Sequence, residues 1–185
     1  MSDQPLSPRV LDIDLDAEAT RISAWMVDTV ARRLHRRGVV VAISGGIDSS
    51  CCAALAVKAL GPKKVFGLLL PERDSSGFSS ERGRQLATHL GIEHVVHDIA
   101  PALEAIGCYR ERDEAIRRVF PAYGEGWKNK IVIAGGVERG LNFFKLVVSS
   151  PDGDLHEARL PVRDYLQIVA ATNHKQRLRK TMEYF

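Results

Sequence analysis

Residues 39–50 read Val39-Val40-Val41-Ala42-Ile43-Ser44-Gly45-Gly46-Ile47-Asp48-Ser49-Ser50. An apolar, mostly β-branched run precedes Ser44 with none of the polar alternation of a half-exposed strand. It predicts a strand buried on both faces, as in a parallel sheet. Gly45 and Gly46 make a turn. A helix of small residues is predicted from about Asp48 to Leu60, stopped by Gly61-Pro62. A strand passing through glycines into a helix is the setting of an anion cradle, because N–H groups at a helix N-terminus point at the anion and the helix dipole favours negative charge there. Glycine lets the backbone approach phosphate oxygens with no Cβ in the way. Ser44, Ser49 and Ser50 add hydroxyl donors. Asp48 alone would repel phosphate, and its carboxylate makes sense as the holder of a Mg²⁺ that bridges the phosphates. The GK[ST] ending of a Walker A loop is absent, and the stretch is not GxGxxG either. A turn that needed only glycine would require neither the serines nor Asp48.

Working outward, Val65–Leu70 is a second predicted strand, stopped by Pro71. A polar loop, Glu72–Ser79, leads to a helix at about Ser80–Leu90 that ends at Gly91. Glu93–Asp98 is a third strand. Alternating strand and helix is the signature of an α/β fold with a parallel sheet. Upstream, residues 1–12 read as a loose arm with Pro5 and Pro8. A helix is predicted over Asp16–Arg37, with Ile22, Trp25, Met26, Thr29, Val30 and Leu34 facing a core. Asp12, Asp14, Asp16 and Glu18 suit the N-terminal end of its dipole, His35 and the arginines suit the other end, and Gly38 is the expected stop. Downstream, residues 101–120 read as helical and charged. Residues 121–140 read as a glycine-rich loop around a short apolar piece, Ile131–Ala134. Phe143–Val148 and Leu155–Leu160 flank Ser-Pro-Asp-Gly and predict a hairpin. Val162–Phe185 is a helix, basic in its middle.

The chain has 185 residues, 45% hydrophobic and 26% charged. That is ordinary globular composition for one domain, unlike a disordered chain, a collagen or a small disulfide scaffold. No apolar run approaches the roughly 20 residues that span a bilayer, and the N-terminus has no signal-peptide core. A net charge of +3 does not by itself imply nucleic acid. Cys51, Cys52 and Cys108 have neither disulfide-framework nor zinc spacing, so a reducing cytoplasm is the simplest compartment. Cys51 and Cys52 read as small buried hydrophobes behind the loop. Cys108 lacks the surroundings of a nucleophile, so the chain carries no ammonia source of its own. His89, His94 and His97 are not spaced as a zinc site. Tyr123 and Trp127 can stack on a nucleotide, but packing is the simpler role.

Ser44-Gly45-Gly46-Ile47-Asp48-Ser49 resembles the SGGxDS loop of the N-type ATP pyrophosphatases, the adenine nucleotide alpha hydrolase superfamily. The resemblance implies a Rossmann-like parallel sheet with flanking helices, here with an inserted β-hairpin. It also implies that ATP is cut between its α and β phosphates and that the loop holds the departing pyrophosphate while an adenylated substrate forms. On that basis Ile43, Ser44, Gly45, Gly46, Ile47, Asp48, Ser49 and Ser50 are expected to bind ATP. Ser44 and Asp48 are expected to act in catalysis, with Mg²⁺ on Asp48.

Three further stretches narrow the resemblance. Gly38–Ser44 with Ala53–Gly61 is similar to the first strand and helix of the NAD synthetases. Val65–Pro71 with Ser75-Ser76 is similar to their second strand and the loop that lies by adenine and ribose. Asn173-His174-Lys175-Gln176-Arg177-Leu178-Arg179 resembles their N-x-x-x-R-x-R segment, which implies that Arg179 contacts the deamido-NAD substrate. Arg177 and Arg179 are too close in sequence to share a helix face. The same basic stretch also reads as a solvated face or an RNA-facing helix, but no aromatic residues interleave and the CxxC of several thiolating enzymes is missing. Nucleic acid is therefore not the expected partner.

The resemblance implies an ammonia-dependent ligase in which the carboxylate of deamido-NAD is adenylated and ammonia displaces AMP, in a homodimer. Two alternatives stay open. One is another N-type ATP pyrophosphatase, acting on a tRNA base or a different carboxylate. The other is a nucleotide-binding fragment without turnover. Arg82 stands near the place where NAD synthetases usually carry an acid. Residues 101–165 exceed what the compact bacterial enzymes need and read as an insertion: a lid, a dimer contact or a surface elaboration. In the family a further strand, a metal-binding glutamate and a substrate loop follow the helix matched by 173–185. Residues 1–185 are thus expected to be a single ATP-pyrophosphatase domain lacking its C-terminal part.

Overall fold

A computed structural model describes residues 12–135 and 143–185. Most of the expected N-terminal arm lies outside these residues, as do Gly136 and Gly140 of the glycine-rich stretch. Contacts divide the chain into two compact units, Met1–Asp98 and Ile99–Phe185.

The first unit is the predicted alternation. Its elements are α1 (Leu15–Val27), β1 (Val39–Ala42), α2 (Ile47–Leu60), β2 (Val65–Leu69), α3 (Gly77–Leu90) and β3 (Glu93–Val96). The strands are parallel in the order β1-β2-β3, with Val39 opposite Val65 and Phe66 opposite Glu93. Both crossovers pass over the same face. Ile43, Val65, Leu69 and Ile92 meet Ala56 of α2 and Ala87 of α3 there, with Met26 of α1 and Val39 and Val41 packed against them. Gly61 and Gly91 end the two crossover helices at φ values of 83° and 65°, in the region that favours glycine. α3 begins three residues earlier than its periodicity suggests, because Ser76 caps it: the Ser79 N–H donates to Ser76 Oγ at 3.2 Å.

Three expectations are corrected in this unit. The first concerns the long N-terminal helix. Asp14 caps α1 by accepting from the Ala17 N–H, but after Val27 the chain continues as a π-helical segment, Asp28–Arg33, and turns at His35 with φ 50°. The wider winding breaks the 3.6-residue phase, so Leu34 swings outward. Trp25 is also 57% exposed, while the neighbouring Met26 is the α1 residue packed against the core. Gly38 is needed for a different reason than helix termination: a Cβ there would lie 2.2 Å from the Lys64 carbonyl oxygen.

The second correction is to β1, which is not buried on both faces. Val40 is 48% exposed, because alternation points it to the sheet face opposite the one where Val39, Val41 and Ile43 meet the helices.

The third is to Cys51 and Cys52, which are exposed. α2 turns Ala53 and Ala56 inward, and Cys52, in line with Ala56 but one turn nearer the helix start, falls short of the core. In the folded protein a chromogenic disulfide reagent is therefore expected to titrate two thiols quickly. Cys108, which is buried and donates from Sγ to the Ala171 carbonyl at 3.3 Å, should react only on unfolding. A single fast thiol would contradict the placement.

The second unit comprises α4 (Ala100–Ala105), α5 (Cys108–Arg117), β4 (Lys128–Ala134), β5 (Phe143–Ser149), β6 (Leu155–Arg159) and α6 (Val162–Tyr184). The charged helical stretch is thus two helices, separated at Gly107 with φ 77°. The predicted hairpin forms as β5–β6, with Lys145 opposite Arg159 and Ser149 opposite Leu155. The expected loop at 121–140 is corrected in part, because Lys128–Ala134 is a full strand antiparallel to β5. Its β-branched centre, Ile131-Val132-Ile133, becomes a strand only by pairing with residues 143–149. One sheet face buries Leu146, Val148 and Leu160 against Ala115, Ile116 and Ile168 of α5 and α6. Tyr123 and Trp127 pack beside this core, with the Trp127 ring stacked on His156. Arg118 donates from Nε to the buried Asp164 carboxylate at 2.7 Å. Removing the guanidinium by Arg118→Ala would leave that carboxylate desolvated and unpaired, so a loss of about 1–3 kcal/mol is expected in denaturant titrations.

Candidate active site

β1 delivers the chain to Ser44 at the carboxyl end of the parallel sheet, where ligand sites of open α/β sheets form. Ile43 is buried, and its N–H donates to the Leu68 carbonyl at 2.9 Å. That bond ties the last apolar residue before the loop to β2. Gly45 then takes φ 77°. Gly46 is extended and caps α2, and the Ser50 N–H makes the first intrahelical bond to the Gly46 carbonyl at 3.2 Å. The N–H groups of Ile47, Asp48 and Ser49 precede that bond. They are the donors a helix start leaves without internal acceptors, and so they are available to phosphate oxygens.

The serines organise the loop. Ser49 Oγ accepts from the Ser44 N–H at 3.2 Å and donates to the Gly46 carbonyl at 3.1 Å. Ser44 and Ser49 hydroxyls lie 3.1 Å apart, and the Gly46 N–H donates to Ser44 Oγ at 3.3 Å. Ser50 Oγ donates to the same Gly46 carbonyl at 2.8 Å. Ser49 is thus the tie between the two ends of the turn. Ser49→Ala is expected to weaken phosphate binding about tenfold, in line with losing one or two hydrogen bonds of about 1 kcal/mol each. Titration with inorganic pyrophosphate checks this.

Asp48 and Ile47 are exposed at the loop mouth, Ile47 at 78%. One free carboxylate beside donors for phosphate is the set that Mg²⁺ uses when substrate phosphates and water fill most of its shell. The loop therefore fits that ion, with Asp48 as the carboxylate that would hold it. Among the described residues no group of three or more His, Cys, Asp or Glu side chains is placed to hold a metal.

A contributor missed in the sequence is the start of α3. A Cβ on Gly45 would sit 2.3 Å from the Ser79 carbonyl oxygen, so the first turn of α3 lies against the phosphate loop. The capping spacing of Ser76 and Ser79, whose hydroxyls are 2.8 Å apart, was the local sign of that helix start. Nothing local showed that it meets Gly45. Arg82 lies on α3 and is exposed.

The basic segment falls on α6 of the second unit. Lys175 is buried, with Nζ 4.9 Å from the Tyr109 ring centre. Arg177 is exposed and Arg179 half-buried, so the two arginines occupy different faces. A groove of about 520 Å³ opens at the opposite, amino end of the parallel strands, lined among others by Arg37, Val40, Lys63, Lys64, Phe66 and Glu93. It is separate from the loop. No helix among the described residues is long and apolar enough to cross a membrane.

A family model described as NAD synthase matches residues 18–119, from α1 through the end of α5. The chain belongs to the NAD synthase family. It is 53% identical over 177 residues to the NH3-dependent NAD+ synthetase of Mesorhizobium japonicum, a match covering 95% of this chain and 56% of that relative. It is 48% identical over 181 residues to that of Rhizobium rhizogenes, covering 97% and 54%. The chain thus spans about half the length of the curated relatives it matches. Among solved structures, the NH3-dependent NAD synthetase of Campylobacter jejuni is similar at 26% identity and a TM-score of 0.48, over 58% of this chain and 50% of that one. The NAD synthase match contains β1, the phosphate loop, α2 and α3 entire, whereas β4–β6 and α6 lie beyond it.

Proposed function

We propose that this chain carries the ATP-cleaving half of an ammonia-dependent NAD synthetase. The observation that supports the reading best is the phosphate loop: a helix N-terminus, a left-handed Gly45 and a serine network, in a chain of the NAD synthase family. In this reading Ile43–Ser50 cradle the phosphates of ATP. The N–H groups at the start of α2 and the Ser44 hydroxyl lie where charge builds on the departing pyrophosphate, the electrostatic route to catalysis. Mg²⁺, when bound, would neutralise phosphate charge, and Asp48 would hold it. The carboxylate of deamido-NAD attacks the α-phosphorus, pyrophosphate leaves, and ammonia then attacks the acyl adenylate to give the amide and AMP. Arg179 would meet an anionic group of deamido-NAD. The partner is a second copy of the chain, and the compartment is the cytoplasm, in keeping with three cysteines that form no disulfide.

The test is product analysis of the chain incubated with ATP, Mg²⁺, deamido-NAD and ammonium. Pyrophosphate and AMP in equal amounts, dependent on deamido-NAD, are expected. ADP with orthophosphate would overturn the α/β cleavage. Tight nucleotide binding with no pyrophosphate release would instead support a binding role without turnover.

A further inference from the structure

We propose that the outer face of the β4–β6 sheet binds single-stranded nucleic acid. The strand register defines that face. Leu146 and Val148 of β5 turn into the core, so Phe143, Lys145 and Val147 turn the other way. On β4, Lys130 pairs with Val147 and Val132 with Lys145. On β6, Arg159 pairs with Lys145 and Glu157 with Val147. Lys128 stands two residues before Lys130 and shares its face. Cations from all three strands thus surround a floor of Val132, Val147 and Phe143.

These cations are not neutralised locally. Glu157 is the one acid on this face of the three strands, and it meets Lys145 Nζ at 2.7 Å. Lys128, Lys130 and Arg159 are exposed, and among the described residues no carboxylate pairs with them. Arg159 instead lays its guanidinium over the Phe143 ring, 5.5 Å from the ring centre. Basic and acidic side chains are equal in number over residues 1–98, so the net charge of +3 belongs wholly to the second unit.

Charge selects a polyanion. Lys128 and Lys130 stand about 7 Å apart along β4, a spacing that suits successive charges of an extended chain rather than one phosphate. The ring and its guanidinium decide which polyanion. Bases free of a duplex stack on aromatic rings and on guanidinium planes, and Val132 and Val147 offer apolar surface beside them. A duplex hides those faces of its bases, and an acidic peptide has none. The basic stretch of α6 gives no such reason to expect nucleic acid, since it has charge but no ring. The sheet joins the two because β4, β5 and β6 each contribute part.

The test is fluorescence anisotropy of a labelled oligouridylate of about 12 nucleotides with the full chain, between about 50 and 200 mM salt, without ATP or Mg²⁺. Binding that weakens with salt is expected. Lys128→Gln with Lys130→Gln, both at exposed positions, should leave the circular dichroism intact and weaken binding at least roughly tenfold. It should also lower the salt slope by about 1.4, the share of two phosphate contacts on a single strand. Phe143→Leu should weaken binding roughly tenfold with the slope unchanged. Arg177→Gln, at an exposed position on α6, should bind as the unmodified chain does. Excess inorganic pyrophosphate should not displace the oligonucleotide, so the outcome stands apart from the reading of the phosphate loop. No binding at the lower salt, equal binding by the double variant, an equal loss in Arg177→Gln, displacement by pyrophosphate, or equal binding of a duplex or of polyglutamate would overturn the proposal. Should Phe143→Leu fail to fold, the exposed lysine pair decides alone.

Discussion

Gly45→Ala is expected to destabilise the first unit by about 3 kcal/mol or more, and to weaken ATP binding by roughly a hundredfold. Two effects add. A residue with a Cβ held at φ 77° pays about 1–2 kcal/mol. The new methyl would also meet the Ser79 carbonyl oxygen at 2.3 Å and its carbon at 3.0 Å. Neither side yields easily. Ser79 is held in the first turn of α3 by the Ser76 cap, and the loop is tied to β2 through Ile43. Relief must come from moving the phosphate loop off α3, which misaims the N–H groups at the start of α2. Gly91→Ala is the internal control: its φ is 65°, but nothing lies within 4 Å of the added methyl. It should cost only the conformational part, about 1 kcal/mol. Thermal melts and nucleotide titration of both variants separate the two contributions. Equal losses in the pair would mean that the contact with Ser79 carries no weight.

Asp48→Asn is expected to cut pyrophosphate release by about two to three orders of magnitude, the scale of one lost electrostatic contribution in a transition state. Its effect on folding should be small. The carboxylate is exposed at the second position of α2, where it gains only about 0.3–1 kcal/mol from the helix dipole. Without Mg²⁺ the amide should bind ATP at least as well as the acid, since one repulsive charge is gone. With Mg²⁺ the wild-type chain should gain affinity and the variant should not. That crossover, read by titration with and without the ion, distinguishes a metal-holding carboxylate from one that only shapes the turn. Turnover unchanged in Asp48→Asn would remove the role assigned to it.

Much of the first unit was legible because its signals are local. A β-branched run, two glycines and a small-residue helix lie within about twenty residues, and Gly61 and Gly91 end helices through their own backbone freedom. The serine network of the loop joins residues no more than five apart, so its members could be named in advance. Other features depend on who the neighbours are. Trp25 and Leu34 fit an apolar stripe by spacing, yet a π-helical segment shifts the phase after Val27 and Trp25 stays more than half exposed. Cys51 and Cys52 look like core residues by type, but α2 presents Ala53 and Ala56 instead. Ile131–Ala134 reads as a short apolar piece in a glycine-rich stretch, yet Lys128–Ala134 is a full strand because β5 pairs with it.

The sequence by itself therefore determined the alternation of strands and helices in the first unit and the position of the loop between β1 and α2. Backbone propensity, glycine freedom and helix-end donors all act within a few residues of chain. Only the tertiary structure decided that Gly45 must be glycine because Ser79 stands against it, that β1 lies at the sheet edge among the described residues with Val40 exposed, and that Gly38 yields to the Lys64 carbonyl. Burial, close approach and pairing are properties of segments far apart in sequence, and no periodicity within one segment encodes them.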